Sequence, residues 1–428
     1  MAEDKTVVAV IVPVYNAARF LPAALASLEA VLPPRDVRLR LALYDDGSRD
    51  ESLAIARAAQ GPLEAKGWEV VLAERGAAPR DVCGPGWARN EAVRAAGDVD
   101  YLCFLDADDV MRPGRIRDQL AAARAADAAE ANGGPRKTLV GGAFEREPAD
   151  ATERYTAWCN GLHGDDLYLH MFQDCTLIQP TWFCHRDVFD AVGGYVAVDA
   201  AGIGEDLVFF YEHLRRGGRL AKVDTPCITY RYHEDSVSWS TPMADLWRIR
   251  GAAFEAIVLG NEAIDLRKLV ETIRAEKLDK GHHARNLQAM RDAARERKRA
   301  KKGKKRKLGE EEEEEEDRGP PPVEYHGVAW TRFRIWGAGR DGKRFFRALT
   351  PAARARVDCM IDVDRSKMKQ PYRDEETGLV VPVRHFADLA DERLPVATCV
   401  GLDKTDGAFE ANLATLQLTA GKDLVYIA

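Results

Sequence analysis

YLCFLDADD, residues 101–109, is the stretch that decides the fold class, because it joins an apolar run directly to three carboxylates. Two earlier stretches have the same construction: VVAVIVPVYN at residues 7–16 and RLALYDDGS at residues 40–48. Each is a short apolar run that ends at a turn or at acidic residues, which is typical of a strand in a parallel sheet. Because the carboxyl ends of parallel strands lie at one edge of the sheet, we expect the polar groups that follow these runs to meet there.

Strand-like and helix-like segments alternate through the first third of the chain. The pattern predicts strands at residues 7–12, 38–44, 68–73, 101–105 and 138–142, and helices at residues 17–31, 52–59, 86–96 and 112–129. This alternation indicates an α/β fold built on a mostly parallel, doubly wound sheet.

The rest of the chain divides by composition. Residues 295–325 include a lysine and arginine run followed by seven consecutive glutamates, a composition that cannot bury apolar surface and that predicts a disordered linker. We therefore predict an α/β domain at residues 1–240, a helical extension at 241–294, this linker, and a smaller Rossmann-like α/β domain at 326–428. In the last domain, strands are expected at residues 332–336, 357–362, 395–400 and 423–427, with a turn and a helix at 337–349.

Composition excludes some classes of protein. The chain has 428 residues and a net charge of -7, so it has no overall basic field, and a nucleic-acid partner would need a local basic patch. Its eight cysteines include no CxxC pair and lie mostly in apolar surroundings, which predicts buried free thiols. The first apolar run ends at Pro13, and no later run is long enough to span a bilayer, so we expect a cytoplasmic or nuclear protein without membrane contact.

The acidic residues of the DADD stretch are candidates for a metal site. Asp106 and Asp108 follow an apolar strand two residues apart, and carboxylate oxygens are the ligands that Mn²⁺ and Mg²⁺ share with the phosphates of a substrate. Such a metal takes up negative charge on a departing diphosphate. His233 is a candidate to complete the shell, although a lone histidine is as often structural. The alternative for these acids is an N-cap of the helix at 112–129, a role open to Asp109.

A second acidic pair, Asp45 and Asp46, ends the second predicted strand. In a site for a sugar nucleotide, such a carboxylate can accept the imide N–H of uracil while Tyr15 covers the ring. The alternative is an Asx-turn, since DDGS is also a good turn sequence. Arg89, near the start of a predicted helix, is a candidate for pairing with phosphate or nucleobase, against the alternative of an ordinary surface arginine.

GEDLVFF, residues 204–210, supplies the candidate general base. Displacement of a diphosphate from a sugar requires a group that takes the proton of the attacking hydroxyl. Glu205 and Asp206 stand at the start of a predicted helix, and Asp206 is the preferred candidate. The alternative is an acid that complements the helix dipole.

These four motifs, in this order and spacing, resemble the family 2 glycosyltransferases over roughly residues 5–240. The resemblance implies the GT-A fold, a single displacement with inversion at the anomeric carbon, and one sugar per encounter, since no QxxRW motif is present. It implies a UDP-sugar as donor and Mn²⁺ or Mg²⁺ as cofactor. The residues to which it assigns roles are Pro13, Tyr15 and Asp46 for the base, Asp106 and Asp108 for the metal diphosphate, and Asp206 for the general base.

The C-terminal part extends the resemblance. IWGAGRDGKRFFRAL at residues 335–349 and VGLDKTDGAFEANL at residues 400–413 resemble the queuosine-tRNA galactosyltransferases, a group earlier described as β-1,3-N-acetylglucosaminyltransferase-like. This resemblance implies UDP-galactose as donor and, as acceptor, queuosine in the anticodon loop of a tyrosine tRNA.

Three alternatives stay open at this stage. One is transfer of N-acetylglucosamine or another sugar to a glycan or a small molecule, and another is a non-catalytic module that binds tRNA or a nucleotide. The third concerns Gly337, Gly339, Gly342 and Asp362, whose spacing matches a dinucleotide fingerprint but also suits a scaffold without a nucleotide.

The basic residues 295–307 suit tRNA phosphates, a nuclear import signal, or pairing with the glutamates that follow.

Overall fold

The computed structural model describes most of the chain. The described residues are 5–75, 83–128, 136–197, 204–234, 236, 241–279, 329–389, 393–400 and 408–427. The predicted linker at 295–325 lies outside them, as do residues 401–407 and residues 280–294 of the predicted helical extension.

The larger unit is an eight-stranded sheet with helices on its faces. Its strands are β1 (Thr6–Val14), β2 (Val37–Asp45), β3 (Glu69–Glu74), β4 (Tyr101–Phe104), β5 (Val110–Met111), β6 (Thr138–Glu147), β7 (Phe183–His185) and β8 (Arg219–Arg231). Its helices are α1 (Leu21–Glu29), α2 (Ser52–Ala65), α3 (Pro85–Ala96), α4 (Arg115–Ala128), α5 (Glu153–Gly161), α6 (Asp166–Leu169), α7 (Arg186–Val192) and α8 (Glu205–Arg215).

The strand order is β3-β2-β1-β4-β7-β6-β8-β5, with β3, β2, β1 and β4 mutually parallel. β7 is antiparallel to both of its neighbours, and β5 is antiparallel to β8. Residues 8–12 of β1 are at most 1% exposed, because helices cover both faces of the sheet. The predicted α/β, mostly parallel class is confirmed.

A smaller parallel sheet lies at the C-terminal end. It contains β9 (Phe333–Trp336), β10 (Val357–Asp362), β13 (Val383–His385), β14 (Val396–Thr398) and β15 (Leu424–Tyr426), while β11 (Tyr372–Arg373) and β12 (Val380–Val381) form a separate antiparallel ribbon. Three helices accompany it: α11 (Arg340–Ala348), α12 (Pro351–Arg354) and α13 (Ala408–Ala414). The strand order is β13-β10-β9-β14-β15, and every pair is parallel.

Helix α9 (Met243–Ile257) joins the two units, and α10 (Leu266–Asp279) follows it. The ring of Phe254 on α9 lies 5.1 Å from that of Phe345 and 5.4 Å from that of Phe333, both in the smaller unit. Glu255, one residue further, accepts hydrogen bonds from the backbone N–H and the hydroxyl of Thr350 at 2.6 and 2.7 Å. A continuous apolar core therefore extends from one unit into the other.

Some sequence predictions of local structure were inaccurate. The helix predicted at 112–129 begins three residues later, at Arg115. Val110 and Met111, shortly before it, pair with β8. A strand is expected directly before His233, but the thirteen-residue length of β8 was not predicted, since its sequence contains Pro226 and lacks regular alternation. The prediction for the cysteines is confirmed: all eight are buried and free. Among the described helices, none combines the length and the apolar character that a membrane span requires.

Candidate active site

The carboxyl ends of β1, β2 and β4 bring the predicted motifs to one edge of the larger sheet. Val14 at the end of β1 is in register with Asp45 at the end of β2, and the N–H of Leu105 donates to the carbonyl of Ile11. Tyr15 follows β1 and is 40% exposed, so its ring is available to a ligand. The motifs therefore share an edge, as the parallel order requires.

Three carboxylates lie close together at that edge. One ligand atom from each of Asp106, Asp108 and Asp109 lies within 4.8 Å of the other two. Asp109 is fully buried, and while its Oδ1 accepts the N–H of Arg231 at 3.0 Å, its Oδ2 has no partner. Three hard oxygen donors with an unpartnered buried oxygen fit a divalent cation. The alternative of Asp109 as the N-cap of the next helix was wrong, because that helix begins six residues later.

The environment of the cluster disfavours its negative charge in the absence of a cation. Burial raises the pKa of the Asp106 carboxyl, as does Asp108, while the Arg89 guanidinium opposes the rise. Burial raises the pKa of Asp109 well above its ordinary value, and the neighbouring Asp108 and Asp106 add to the rise. A bound cation would relieve this repulsion.

His233 contacts the cluster through one of its members. Its Nε2 lies 2.8 Å from Asp108 Oδ2, and its ring stacks on that of Phe20 with centroids 4.4 Å apart. The group whose ligand atoms lie mutually within 4.8 Å contains Asp109 and not His233. The geometry thus gives His233 a direct role in orienting Asp108, and its role as a ligand stays a prediction.

Arg89 is buried in this site. Its Nη2 donates to Asp106 Oδ1 at 2.7 Å, and its Nη1 lies 3.4 Å from Glu205 Oε1. Its guanidinium also lies 5.4 Å from the ring centre of Tyr195. The alternative of an ordinary surface arginine is wrong, since the side chain is 7% exposed. Arg89 links the metal-site aspartate to the acidic start of α8.

Asp206 and Glu205 occupy the first turn of α8, after Gly204 in the left-handed conformation. Burial, with Glu205 as the second cause, raises the pKa of Asp206 to about 7. A carboxyl with this pKa can take up a proton near neutral pH, as a general base must. Its Oδ1 also accepts the N–H of Leu207 at 2.8 Å, so a capping contribution is present as well.

The two aspartates at the end of β2 have different hydrogen-bond partners. Asp45 Oδ2 accepts the N–H of Gly47 at 3.2 Å and of Ser48 at 2.9 Å, which is the predicted Asx-turn. Asp46 Oδ2 accepts the N–H groups of Cys83 and Gly84 at 2.9 and 3.0 Å, so it holds the start of α3. Burial raises the pKa of Asp46 despite these bonds. Each aspartate keeps one buried oxygen without a hydrogen-bond partner, and that of Asp46 lies 3.6 Å from Arg75 Nη1 in an ion pair.

Several polar residues near the candidate base were not found from the sequence. Arg250 of α9 is 9% exposed, and its Nε has no hydrogen-bond partner. Burial raises the pKa of Asp174, and the positive charge of Arg250 opposes that rise. Asp174 in turn helps to raise the pKa of Asp206. Trp247, one turn earlier on α9, has a buried Nε1 without a partner. No motif marks these residues, because only the packing of α9 against α8 brings them to the site.

The glycine-rich stretch of the smaller unit has a structural explanation. A Cβ on Gly342 would lie 1.8 Å from the carbonyl oxygen of Gly337, so α11 can begin this close to the loop only with glycine there. Asp362 Oδ2 accepts the N–H of Ala338 at 3.2 Å and the Nζ of Lys367 at 2.7 Å. These bonds use the carboxylate that the fingerprint would offer to a ribose, which favours the scaffold interpretation.

The aromatic residues at 155–183 mainly form the core. Phe172, Trp182 and Phe183 are fully buried, and Tyr168 is 8% exposed. Tyr155 and Trp158 are partly exposed. Only the last two are accessible for contact with an acceptor base.

Residues 9–193 match the family model described as Glycosyl transferase family 2. The matched region includes both acidic motifs of the parallel strands and ends before Asp206. The motif resemblance to this family is thus supported for the larger sheet, while the match covers less than half of the chain.

Comparison with solved structures gives distant similarities. A 1–349 fragment of TarS from S. aureus, in a structure with UDP-GlcNAc, is 16% identical, with a TM-score of 0.42, covering 65% of this chain and 72% of that one. The mannosyltransferase PcManGT from Pyrobaculum calidifontis, in a structure with GDP-Man and Mn²⁺, is 18% identical with a TM-score of 0.39, covering 67% and 74%. Glucosyl-3-phosphoglycerate synthase from Mycobacterium tuberculosis is 17% identical with a TM-score of 0.36, covering 59% and 79%.

Proposed function

We propose that this protein is an inverting, metal-dependent glycosyltransferase that moves one hexose from a UDP-sugar to an acceptor hydroxyl. The observation that carries the proposal is the pairing of two acidic groups with different environments. Asp106, Asp108 and Asp109 form a cluster fitted to a cation, and Asp206 begins the neighbouring helix with its pKa raised to about 7. Diphosphate departure and proton removal need these two kinds of carboxylate.

On the donor side, the carboxylates of Asp106 and Asp108 would hold Mn²⁺ or Mg²⁺, with Asp109 beneath them. The cation supplies charge neutralisation for the departing diphosphate. Tyr15 and Asp46 line the edge where the nucleobase is expected; Tyr15 is exposed, and Asp46 retains an oxygen whose one polar contact among the described residues is an ion pair with Arg75 at 3.6 Å. Arg89 contributes indirectly, by orienting Asp106.

On the acceptor side, Asp206 takes the proton from the attacking hydroxyl while the oxygen of that hydroxyl bonds to the anomeric carbon. The bond from that carbon to the diphosphate oxygen breaks in the same step, so the configuration inverts. Glu205 favours proton uptake by Asp206 through its negative charge. The deprotonated Asp206 at neutral pH is the form competent for this step.

We further propose UDP-galactose as donor and queuosine of tyrosine tRNA as acceptor, in the cytoplasm or nucleus. This finer assignment rests on the resemblance of residues 335–349 and 400–413 to the queuosine-tRNA galactosyltransferases. The smaller unit is joined to α9, whose Arg250 acts on Asp174, and the charge of Asp174 acts in turn on the candidate base; this arrangement is compatible with a role of that unit at the acceptor.

The testing experiment incubates the purified full-length protein with Mn²⁺, one UDP-sugar at a time, and total tRNA from queuosine-containing or queuosine-free cells. Sugar transfer is measured by mass spectrometry of the nucleosides. We expect a hexose on queuosine from UDP-galactose, and no product with queuosine-free tRNA. An Asp206→Asn variant should retain donor binding and lose turnover.

Other outcomes separate the alternatives. UDP-sugar hydrolysis without transfer to either tRNA would support the glycosyltransferase activity and contradict queuosine as the acceptor. Glycans and small molecules would then be the acceptors to test. If neither hydrolysis nor transfer occurs while tRNA or UDP binds, the protein is a binding module and the catalytic proposal is wrong.

A further inference from the structure

Helix α11 presents a row of cations on one side. Arg340, Lys343, Arg344 and Arg347 follow one another at positions i, i+3, i+4 and i+7, which places them on one face of a helix. We call these four residues the α11 cationic face. The opposite side carries Phe345 and Phe346, which are fully buried in the core.

Little negative charge compensates this face. Asp341 lies 3.2 Å from Arg340 and 3.4 Å from Arg344, and it is the one acidic residue of the helix. In the part of the chain that the structure describes, Lys343 and Arg347 contact no carboxylate: Lys343 lies over the Tyr372 ring at 5.6 Å, and Arg347 donates to a helix carbonyl. Four cations against one acid leave a helix with three net positive charges.

This surface contrasts with the rest of the protein. The chain has a net charge of -7, and several exposed arginines elsewhere are paired with acids, as in Arg57 with Glu74 and Arg124 with Asp36. A cationic row in a protein of net negative charge is a local surface to which an anionic partner can bind.

The geometry favours an extended polyanion. Seven residues of helix span about 10 Å, so the four side chains can contact more than one charged group along a chain. An anionic membrane is a poor fit, because the apolar side of α11 is buried and cannot insert between lipids.

We propose that the α11 cationic face binds the phosphate backbone of the RNA acceptor. This inference rests on the proposed function and adds to it a binding surface outside the catalytic edge. α11 packs on α9 through Phe345 and Phe254, and α9 packs on the start of α8 through Leu246 and Gly204. An RNA held on α11 is therefore connected through two helix contacts to the element that carries the candidate base.

The test compares the full-length protein with a Lys343→Gln/Arg347→Gln variant. These are the two members without a carboxylate partner, so their replacement removes no ion pair. Binding of tyrosine tRNA is measured by fluorescence anisotropy between about 50 and about 200 mM KCl. Each lost phosphate contact reduces the slope of log K against log salt by about 0.7–0.9. We expect a slope lower by about 1–2 and affinity weaker by about threefold to thirtyfold at low salt.

A matched control removes two cations elsewhere. Arg38→Gln/Arg57→Gln changes exposed arginines on β2 and α2 and should leave the slope unchanged. Both double variants should hydrolyse UDP-sugar without acceptor at the wild-type rate and melt at the wild-type temperature.

An unchanged slope in the α11 variant, with wild-type tRNA binding intact, would overturn the proposed surface and leave the enzymatic proposal standing. Equal loss in both double variants would also overturn it, since binding would then follow overall charge. If the wild-type protein binds no tRNA but transfers sugar to another acceptor, the queuosine function itself fails. If the wild-type protein binds vesicles that contain anionic lipids and Lys343→Gln/Arg347→Gln abolishes that binding, the partner of the α11 cationic face is a membrane and not RNA.

Discussion

The chemistry of individual carboxylates depends on how far each is removed from water and from other charge. Asp206 illustrates this, since burial and Glu205 raise its pKa from 3.8 to about 7. Asp45, at the end of a strand, instead accepts two backbone N–H groups in a turn. Residue type alone does not separate the two roles, whereas the surroundings do.

The pH dependence of activity should report the ionisation of Asp206. Below about pH 7 the base holds a proton, so kcat/KM is expected to fall about tenfold for each pH unit. Glu205→Gln removes the second cause of the raised pKa and should move this limb to lower pH. Asp206→Asn should lower kcat by about 10²–10⁴ and abolish the limb. A limb at the same pH in Glu205→Gln and wild type would show that another group controls it.

The same carboxyl is expected to limit stability. Because the folded-state pKa lies above the unfolded value of 3.8, the folded protein binds a proton more tightly, and stability falls as the pH rises from about 4 through about 7. Asp206→Asn removes the unfavourable charge and should raise Tm by about 1–3 °C near pH 8. The difference should disappear near pH 4. Equal Tm values at both pH values would contradict the raised pKa.

At the scale of elements, the crossing of α9 and α11 determines how the two units meet. A Cβ on Gly251 of α9 would lie 2.7 Å from the carbonyl oxygen of Ala348, at the end of α11. Backbone atoms at a helix end cannot turn aside as a flexible side chain does. The absence of a side chain at Gly251 is therefore a condition of this close approach.

Gly251→Ala should consequently destabilise the protein, by about 1–3 kcal/mol, because the two helices must separate. Gly161→Ala is the matched control: Gly161 also lies in a helix, at the end of α5, but no heavy atom lies within 4 Å of its added Cβ. That change should stabilise by about 0.5–1 kcal/mol through helix propensity. Chemical denaturation measures both. Stabilisation by both substitutions would mean that the helices do not approach this closely in solution.

At the scale of the whole molecule, the two units share one hydrophobic core. Phe254 of α9 is fully buried and contacts rings from both units, among them Phe172 at 5.9 Å and Phe345 at 5.1 Å. Glu255 adds two hydrogen bonds to Thr350 across the same boundary. The units share a core, so neither has a complete hydrophobic surface without the other.

Differential scanning calorimetry should therefore show a single transition for the folded part of the wild-type protein. Phe254→Ala removes the shared ring and should cost about 3–5 kcal/mol and divide the transition into two. Phe183→Ala, an equally buried ring that stacks on Tyr101 within the larger sheet, is the control. It should lower Tm while the single transition persists. Two transitions in the wild-type protein would contradict the shared core.

Several features of the fold and the site were predictable because they are local. The runs that end at Val14, Asp45 and Phe104 are strands as predicted, since apolar runs bounded by turns allow few other structures. The edge that holds Asp106 and Asp108 followed from the parallel order. The full length of β8 could not be predicted, because its 13 residues are stabilised by pairing with β6 and not by their own pattern.

By itself, the sequence determined the α/β class, the order of the strand-ending motifs and the chemical types of the candidate ligands, because these depend on short-range pattern and residue type. Only the tertiary structure decided that Asp109 joins Asp106 and Asp108 in one acidic cluster, that Arg89 links Asp106 to Glu205, and that Arg250 acts on Asp174, whose charge acts on Asp206. These contacts unite residues up to 116 positions apart. Burial and long-range packing create them, and neither is written in any single stretch of the chain.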